Sequence, residues 1–291
     1  MRFGPPAPLQ SSLLLTGAGP SNGASFVGAL DGYTTGMVEL YSPFKKLLAS
    51  YTGDAVRVRR SSDNSLRWIP FLSTGEWDVA DYLSFIGAGS GFAHTVPGQK
   101  NGRDQTQATA AAQPQIGVDG NGQYYLYAPG AGFGTTRMKC TGLSIACTDF
   151  TFWAVASAAA YAFAPIMTRD NGALKERVVL NYASLIAPTM NDSASGTVAS
   201  IASTNTNPYS TLWSAGSGGN KLGNRLTSAT GTRTPVVCAI NEISIGSNGG
   251  GVTWAQNSRF YLGALWSEDK GPTADFDALA TLGKTLIPAA Q

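Results

Sequence analysis

The chain has 291 residues, a net charge of +2 and only 13% charged side chains. It carries no lysine–arginine block beyond Arg57, Arg59 and Arg60, which argues against a surface that tracks a phosphate backbone, so no nucleic-acid partner is expected. No apolar run approaches the ~20 residues of a membrane-spanning helix, and no membrane partner is expected either.

Glycine at 35 residues, beside abundant alanine, serine and threonine, suits many short strands joined by tight turns. With 43% hydrophobic residues the chain has enough apolar material for a core. His94 is the only histidine and Cys140, Cys147 and Cys238 are the only cysteines, a set without metal-ligand spacing, so neither metal nor cofactor is expected. The odd cysteine count reads as reduced thiols made in a cytoplasm, although Cys140 and Cys147 could pair across a loop. No G-x-S-x-G surrounds a serine that His94 would activate.

In chain order, residues 1–20 (MRFGPPAPLQSSLLLTGAGP) read as an extended arm. Pro5, Pro6 and Pro8 pre-extend the backbone, and Leu13, Leu14 and Leu15 offer an apolar anchor to a partner surface. That run is too short for the apolar core of a secretory signal. Residues 38–50 read as a short helix with Leu40, Phe44, Leu47 and Leu48 on one face. In residues 51–64, YTGDAVRVRRSSDN, Val56 and Val58 alternate with Arg57 and Arg59, the period-two pattern of a half-buried strand. Arg60 breaks the alternation before a turn, and the three arginines are candidate contacts for an acidic partner. A strand at 67–72 and a helix at 78–85 capped by Asp78 follow, ended by a glycine run at 87–91 that lacks the features of a phosphate loop.

From residue 113 onward the pattern is strands, at 115–118, 123–127, 150–157, 177–182, 197–203, 210–214, 236–240, 242–245 and 258–266. The nearly unbroken apolar run at 150–157 predicts a central strand buried on both faces. Residues 214–234 read as a polar loop, and residues 273–287 as a closing amphipathic helix. The expected fold is all-β: residues 21–291 form one two-sheet jelly-roll sandwich with short peripheral helices behind the N-terminal arm. Trp68, Trp77 and Trp213 lie near loops or strand ends and are candidates for stacking on sugar faces, whereas Trp153 and Trp266 read as core. Most of the five glutamates and thirteen aspartates sit at turns or caps. Asp170 and Glu176, in a short segment before a strand, are a conceivable acidic pair.

The motifs YTGDAVRVRRSSDN, FIGAGSGF and NGRDQTQATAAAQPQI, in that order, resemble the concanavalin A-like (laminin-G-like) proteins encoded by tailed bacteriophages. The same order is similar to the start of the catalytic domain of fungal-type α-L-arabinofuranosidase B. The closing stretch, NEISIGSNGGGVTWAQNSRFYLGALWSEDKGPTADFDAL, is similar to the end of laminin-G-like domains. The resemblance implies a lectin-like sandwich, a fold that hosts enzymes, lectins and inert building blocks. It departs at residues 96–100, where Val-Pro-Gly-Gln-Lys replaces an aspartate-bearing loop of the relatives. The expectation that follows is a non-enzymatic structural protein of a phage virion, as capsid decoration or tail-fibre component. Its partners would be other virion proteins, further copies of itself and a host-surface glycan. The alternatives are a glycan-active enzyme of arabinofuranosidase type and a carbohydrate-binding receptor-recognition module.

Overall fold

The computed structural model describes residues 25–128, 136–146, 149–157, 166–169, 180–181, 185–190, 196–197, 201–202, 209–216, 219–224, 228–231, 239–246, 259–271 and 273–288. The first strands are β1 (Met37–Tyr41), β2 (Val56–Arg60) and β3 (Leu66–Ile69), followed by helix α1 (Val79–Ile86). Then come β4 (Gly91–Val96), β5 (Gln105–Thr106), β6 (Gln115–Val118), β7 (Tyr124–Tyr127), β8 (Arg137–Ala146) and β9 (Phe150–Ser157). The middle of the chain holds β10 (Ile166–Arg169), β11 (Leu180–Asn181), β12 (Leu185–Met190), β13 (Gly196–Thr197) and β14 (Ile201–Ala202). The chain closes with β15 (Tyr209–Gly216), β16 (Gly219–Asn224), β17 (Ser228–Gly231), β18 (Ala239–Gly246), β19 (Arg259–Trp266) and α2 (Ala274–Leu286). The all-β expectation holds.

One ladder runs β10-β18-β8-β5-β4-β6-β7-β19-β9-β15-β16-β17, with β1 on β19 and β2–β3 on β4. The β6–β7 hairpin joins its two arms, through Phe92↔Gln115 at one end and Phe260↔Leu126 at the other. The arms pack face to face. Val56 and Val58 of β2, Met138 and Ile145 of β8, and Ile243 and Ile245 of β18 share one buried cluster with Phe150, Phe152 and Phe260 of the opposite arm. This is the sandwich core, built from the inward residues of alternating strands.

Strand β9 is buried on both sides, as its apolar run predicts. Phe150, Phe152, Ala154 and Ala156 enter the core between the sheets. Trp153 and Val155 point the other way, into a second cluster with Phe276, Leu279 and Ala280 of α2. The neighbours β19 and β15 hydrogen-bond to both edges of β9, from Phe150 to Ala156 on the β15 side. Helix α2 therefore forms a third layer over the outer face of that sheet.

Several expectations are corrected. Residues 38–50 are not a helix: β1 pairs antiparallel with β19 from Met37↔Trp266 to Tyr41↔Gly263, and the chain then continues through a loop. The apolar spacing fitted a helix, but tertiary partners satisfy this backbone instead. The Gln99 side chain accepts a hydrogen bond from the Leu47 amide (2.9 Å) and donates to the Ser42 (2.9 Å) and Lys45 (2.8 Å) carbonyls. The expected loop at 214–234 contains β16 and β17, paired in turn onto β15. The expected strands at 236–240 and 242–245 are one strand, β18. The arm residues Leu13, Leu14 and Leu15 lie outside the described residues.

Glu39 is 0% exposed and anchors the loop of residues 97–104. Its Oε1 accepts the amides of Leu40 (3.1 Å), Lys100 (2.9 Å) and Asn101 (3.2 Å), and its Oε2 that of Arg103 (3.1 Å). Hydrogen bonds to a charged acceptor are the strong ones, and four amides on one carboxylate satisfy an otherwise orphaned turn. Glu39→Ala is expected to lower the unfolding free energy by about 2–4 kcal/mol, because it orphans these donors. Urea denaturation with unchanged slope checks this, and a loss under about 1 kcal/mol contradicts it.

Candidate functional site

The loop anchored by Glu39 forms one wall of an open cleft. Gly98 sits against the Glu39 carboxyl so closely that a Cβ there would lie 2.6 Å from Cδ, a contact only glycine avoids. Its amide donates to Asp104 Oδ1 (3.2 Å). Asn101 Nδ2 donates to the Val38 carbonyl (2.5 Å), and the Tyr41 hydroxyl donates to the Arg103 carbonyl (2.9 Å). Burial pushes the Tyr41 phenol well above its ordinary range, which keeps it a hydrogen-bond donor. These contacts fix Asn101 and Arg103 along an open cleft of about 360 Å³.

The opposite walls come from both arms of the sandwich: Met37 and Val38 at β1, Ser144 and Ile145 on β8, and Ser267 just after β19. Guanidinium, amide and hydroxyl groups beside a few apolar side chains are the chemistry that holds a sugar's hydroxyls and faces. No carboxylate lines the cleft itself. Gly36, also in its wall, packs against the side chain of Glu268, which is ion-paired with Lys270. Sequence reasoning did not single out Asn101 or Arg103. The signal was the NGRDQT segment, which was used for the resemblance alone.

The candidate arginines share β2, Arg57 and Arg59 on one face and Arg60 where the alternation breaks, and their fates differ. Arg59 is engaged within the chain: it donates to Gln113 Oε1 (2.6 Å), Asn64 Oδ1 (2.8 Å) and the Ala110 carbonyl (3.2 Å), and stacks over Phe92 at 4.5 Å. Arg60 holds Asp63 with two donors and gives a third to the Phe85 carbonyl (2.9 Å). Arg57 lies over the ring of its cross-strand partner Trp68, 5.6 Å from the centroid, and its buried Nε has no hydrogen-bond partner. Trp68 is 39% exposed, so of the three stacking candidates it is the one shown with an open ring.

Trp77 is corrected: it is 2% exposed, locked edge-on against Phe44 and Tyr124 with ring centroids 4.8 Å away in each case. A loop-flanking tryptophan looks the same in sequence whether it faces in or out. Trp213 lies on β15, opposite Phe152 of β9 and Leu222 of β16. Trp153 and Trp266 are fully buried. Asp170 and Glu176 lie outside the described residues. Among the described residues no group of three or more metal-ligating side chains converges. No described helix is long and apolar enough to cross a membrane.

No protein-family model and no curated protein sequence matches the chain. Solved structures do. A GH54 α-L-arabinofuranosidase soaked with a cyclic sulfate inhibitor aligns over 88% of this chain at 17% identity, with a TM-score of 0.65. The chain shares the arabinofuranosidase fold. An arabinofuranosidase complexed with arabinofuranosyl-α-1,2-xylobiose aligns over the same 88% with a TM-score of 0.61. Each alignment covers 64% of the arabinofuranosidase chain, so this protein spans about two thirds of those enzymes' length. Trypanosoma rangeli sialidase with sialic acid aligns over 87% of this chain and 33% of its own, at 8% identity and a TM-score of 0.45. The arabinofuranosidase alignments correct the expectation of a non-enzymatic chain, and the arabinofuranosidase half of the resemblance is the half whose fold this chain shares.

Two outcomes follow from the placement of the tryptophans and of His94. Trp77→Ala is expected to cost about 3–5 kcal/mol of stability, as for a buried ring removed from a packed core, while Trp68→Ala stays within about 1 kcal/mol. Equal losses in chemical denaturation would contradict the placement. Burial, then the neighbouring Arg57 and Arg59, hold the His94 imidazole below its ordinary pKa, and its Nδ1 lies 2.8 Å from Thr95 Oγ1. The unfolded chain therefore takes up this proton first as pH falls. The associated stability is present above about pH 6.5 and is lost progressively below it. Asp63 is held well below the usual carboxylate range by Arg60 and the Ser65 amide, so its contribution is lost only below about pH 4. The melting temperature should fall between about pH 6.5 and 5, and His94→Gln should flatten that fall. An unchanged slope in the variant would show that His94 is not its source.

Proposed function

We propose that this chain is a glycan-active enzyme of arabinofuranosidase type, with the glycan seated in the cleft beside Asn101, Arg103, Ser144 and Ser267. The observation that carries the reading is the alignment over 88% of the chain with arabinofuranosidases, one of them complexed with an arabinofuranosyl-xylobiose. The cleft adds donors and acceptors drawn from both arms of that shared sandwich. Hydrolysis of a glycosidic bond needs two carboxyl groups flanking it, one to protonate the leaving oxygen and one to act as nucleophile or base. No described residue lining the cleft supplies such a pair, and Asp170 with Glu176, outside the described residues, is the acidic pair that the sequence offers for this work. The Glu39 carboxylate is excluded from it, because its oxygens are saturated by four backbone amides and shielded from solvent. The motif resemblance to tailed-phage chains supports a virion as the setting, with residues 1–20 as the attachment arm and other virion proteins as partners.

The test is an assay of the purified chain on 4-nitrophenyl α-L-arabinofuranoside and on arabinose-decorated xylo-oligosaccharides. Release of 4-nitrophenol and of arabinose is expected, reduced by about 10²–10⁴-fold in Glu176→Gln. A folded protein that releases no sugar from either substrate class would overturn the proposal.

A further inference from the structure

Strand β3 and the hairpin that follows it present an apolar outer side. Leu66, Trp68 and Leu72 are 39%, 39% and 45% exposed, and Pro70 between them is half-buried. They alternate with Arg67, Ile69 and Phe71, of which Ile69 lies in the core and Phe71 packs against it. By the period of two, the four share the side turned away from the core. A strand with one face on the core ordinarily turns polar residues that way, and an exposed apolar edge strand is a liability that native folds cover.

The edge of β3 has a gap. Odd-numbered residues turn their backbone toward β2: the Ser65 carbonyl accepts the Arg60 amide and the Ile69 carbonyl that of Ala55, both at 2.9 Å. Even-numbered residues turn theirs outward. The Pro70 carbonyl there accepts the Asp78 amide (2.9 Å), and the Leu72 amide donates to the Glu76 carbonyl (2.7 Å). Leu66 and Trp68 lie on the same edge before that closure, and among the described residues β3 pairs with β2 alone. Their outward amides and carbonyls form a short ladder with one side missing.

The chain itself supplies a segment that fits. Within residues 1–24, residues 12–16 (SLLLT) are an apolar run without proline, so every one of them can donate an amide. The described chain enters beside this same hairpin. Phe26 packs on Gly75, where a Cβ would lie 2.2 Å from its ring, and Lys46 Nζ stands 5.0 Å from that ring's centroid. Trp68 lies seven residues before Gly75, at most about 23 Å away, and residues 17–24 with their glycines span up to about 26 Å. A segment tethered so closely acts at a concentration on the order of millimolar, far above that of another copy's arm in dilute protein.

We infer that residues 12–16 dock on the open edge of β3 in the same chain, as an added strand parallel to it. Leu13 and Leu15 then flank Leu66 and Trp68 on the outer side, and Leu14 turns to the side of Arg67. The inference goes beyond the glycan reading and holds whether or not the cleft takes a sugar. Attachment to another virion protein would draw the same segment off its own edge.

The test is amide hydrogen exchange, read residue by residue on the full chain and on the full chain carrying Leu13→Asp with Leu15→Asp. The Leu66 and Trp68 amides should exchange at least about ten-fold more slowly in the parent than in the variant. The β9 amides should be equally protected in both, which shows that the variant is folded. A second full-length variant, Leu14→Pro, breaks the added strand without introducing charge and should lose the same protection. The slowing should be identical at low and high protein concentration. Three results would overturn the inference. The first is equal exchange of both amides in the parent and in folded variants. The second is protection that grows with concentration alongside a dimer in sedimentation, which would assign the edge to a second copy. The third is fast exchange of both amides in the parent, which would leave the edge to an outside partner.

Discussion

Strand β9 is the constraint on which the rest of the structure depends. Its side chains alternate between two cores, Phe150 and Phe152 into the space between the sheets and Trp153 and Val155 under α2. A strand so placed cannot shift by one residue, because the shift would exchange every side chain between the two cores. Phe152 and Trp153 cannot trade places, since one fills the sheet-to-sheet gap and the other the sheet-to-helix gap. The register of β19 and β15 follows from β9, the position of β1 follows from β19, and the closing helix follows from Trp153 and Trp266.

The cleft inherits its geometry from this frame. Strand β1 lies on β19, and Glu39 in β1 reaches across to collect the amides of residues 100, 101 and 103. The loop is thus tied to the central sheet by a buried charge rather than by its own turn chemistry. Where the resemblance leads one to expect an aspartate-bearing loop, this chain has Pro97 and Gly98, and glycine is what lets the loop close over the Glu39 carboxyl. The same tie holds Asn101 and Arg103 on the open side.

Much of the frame was legible because it is written in apolar period. The run at 150–157, the alternation of Val56 and Val58 with the arginines, and the Asp78 cap, whose Oδ1 accepts the Asp81 amide at 2.9 Å, needed no tertiary knowledge. What failed lacked a local signature. Strands β16 and β17 are rich in glycine, asparagine and serine, and they exist because β15 offers them a ladder. Strand β8 hides its alternation behind Gly142, whose φ of +79° accompanies a register shift against β18. Strand β1 carries apolar spacing that a helix would also satisfy, and only its partner β19 decides between them. The site was less legible than the fold. Arg57 and Arg59 look equivalent in sequence, yet one has a buried Nε without a partner and the other donates to Gln113, Asn64 and Ala110. Trp68 and Trp77 differ in the same way, through neighbours distant along the chain.

The central claim is that a glycan sits in the cleft bounded by the Glu39-anchored loop and β8. Backbone amide NMR of the isotopically labelled chain, titrated with an arabinofuranosyl-decorated xylo-oligosaccharide, tests it most directly. The account predicts saturable shifts confined to residues around Asn101, Arg103, Ser144 and Ser267, with the β9 amides unmoved. Shifts that are absent, or that cluster away from this cleft, would contradict it.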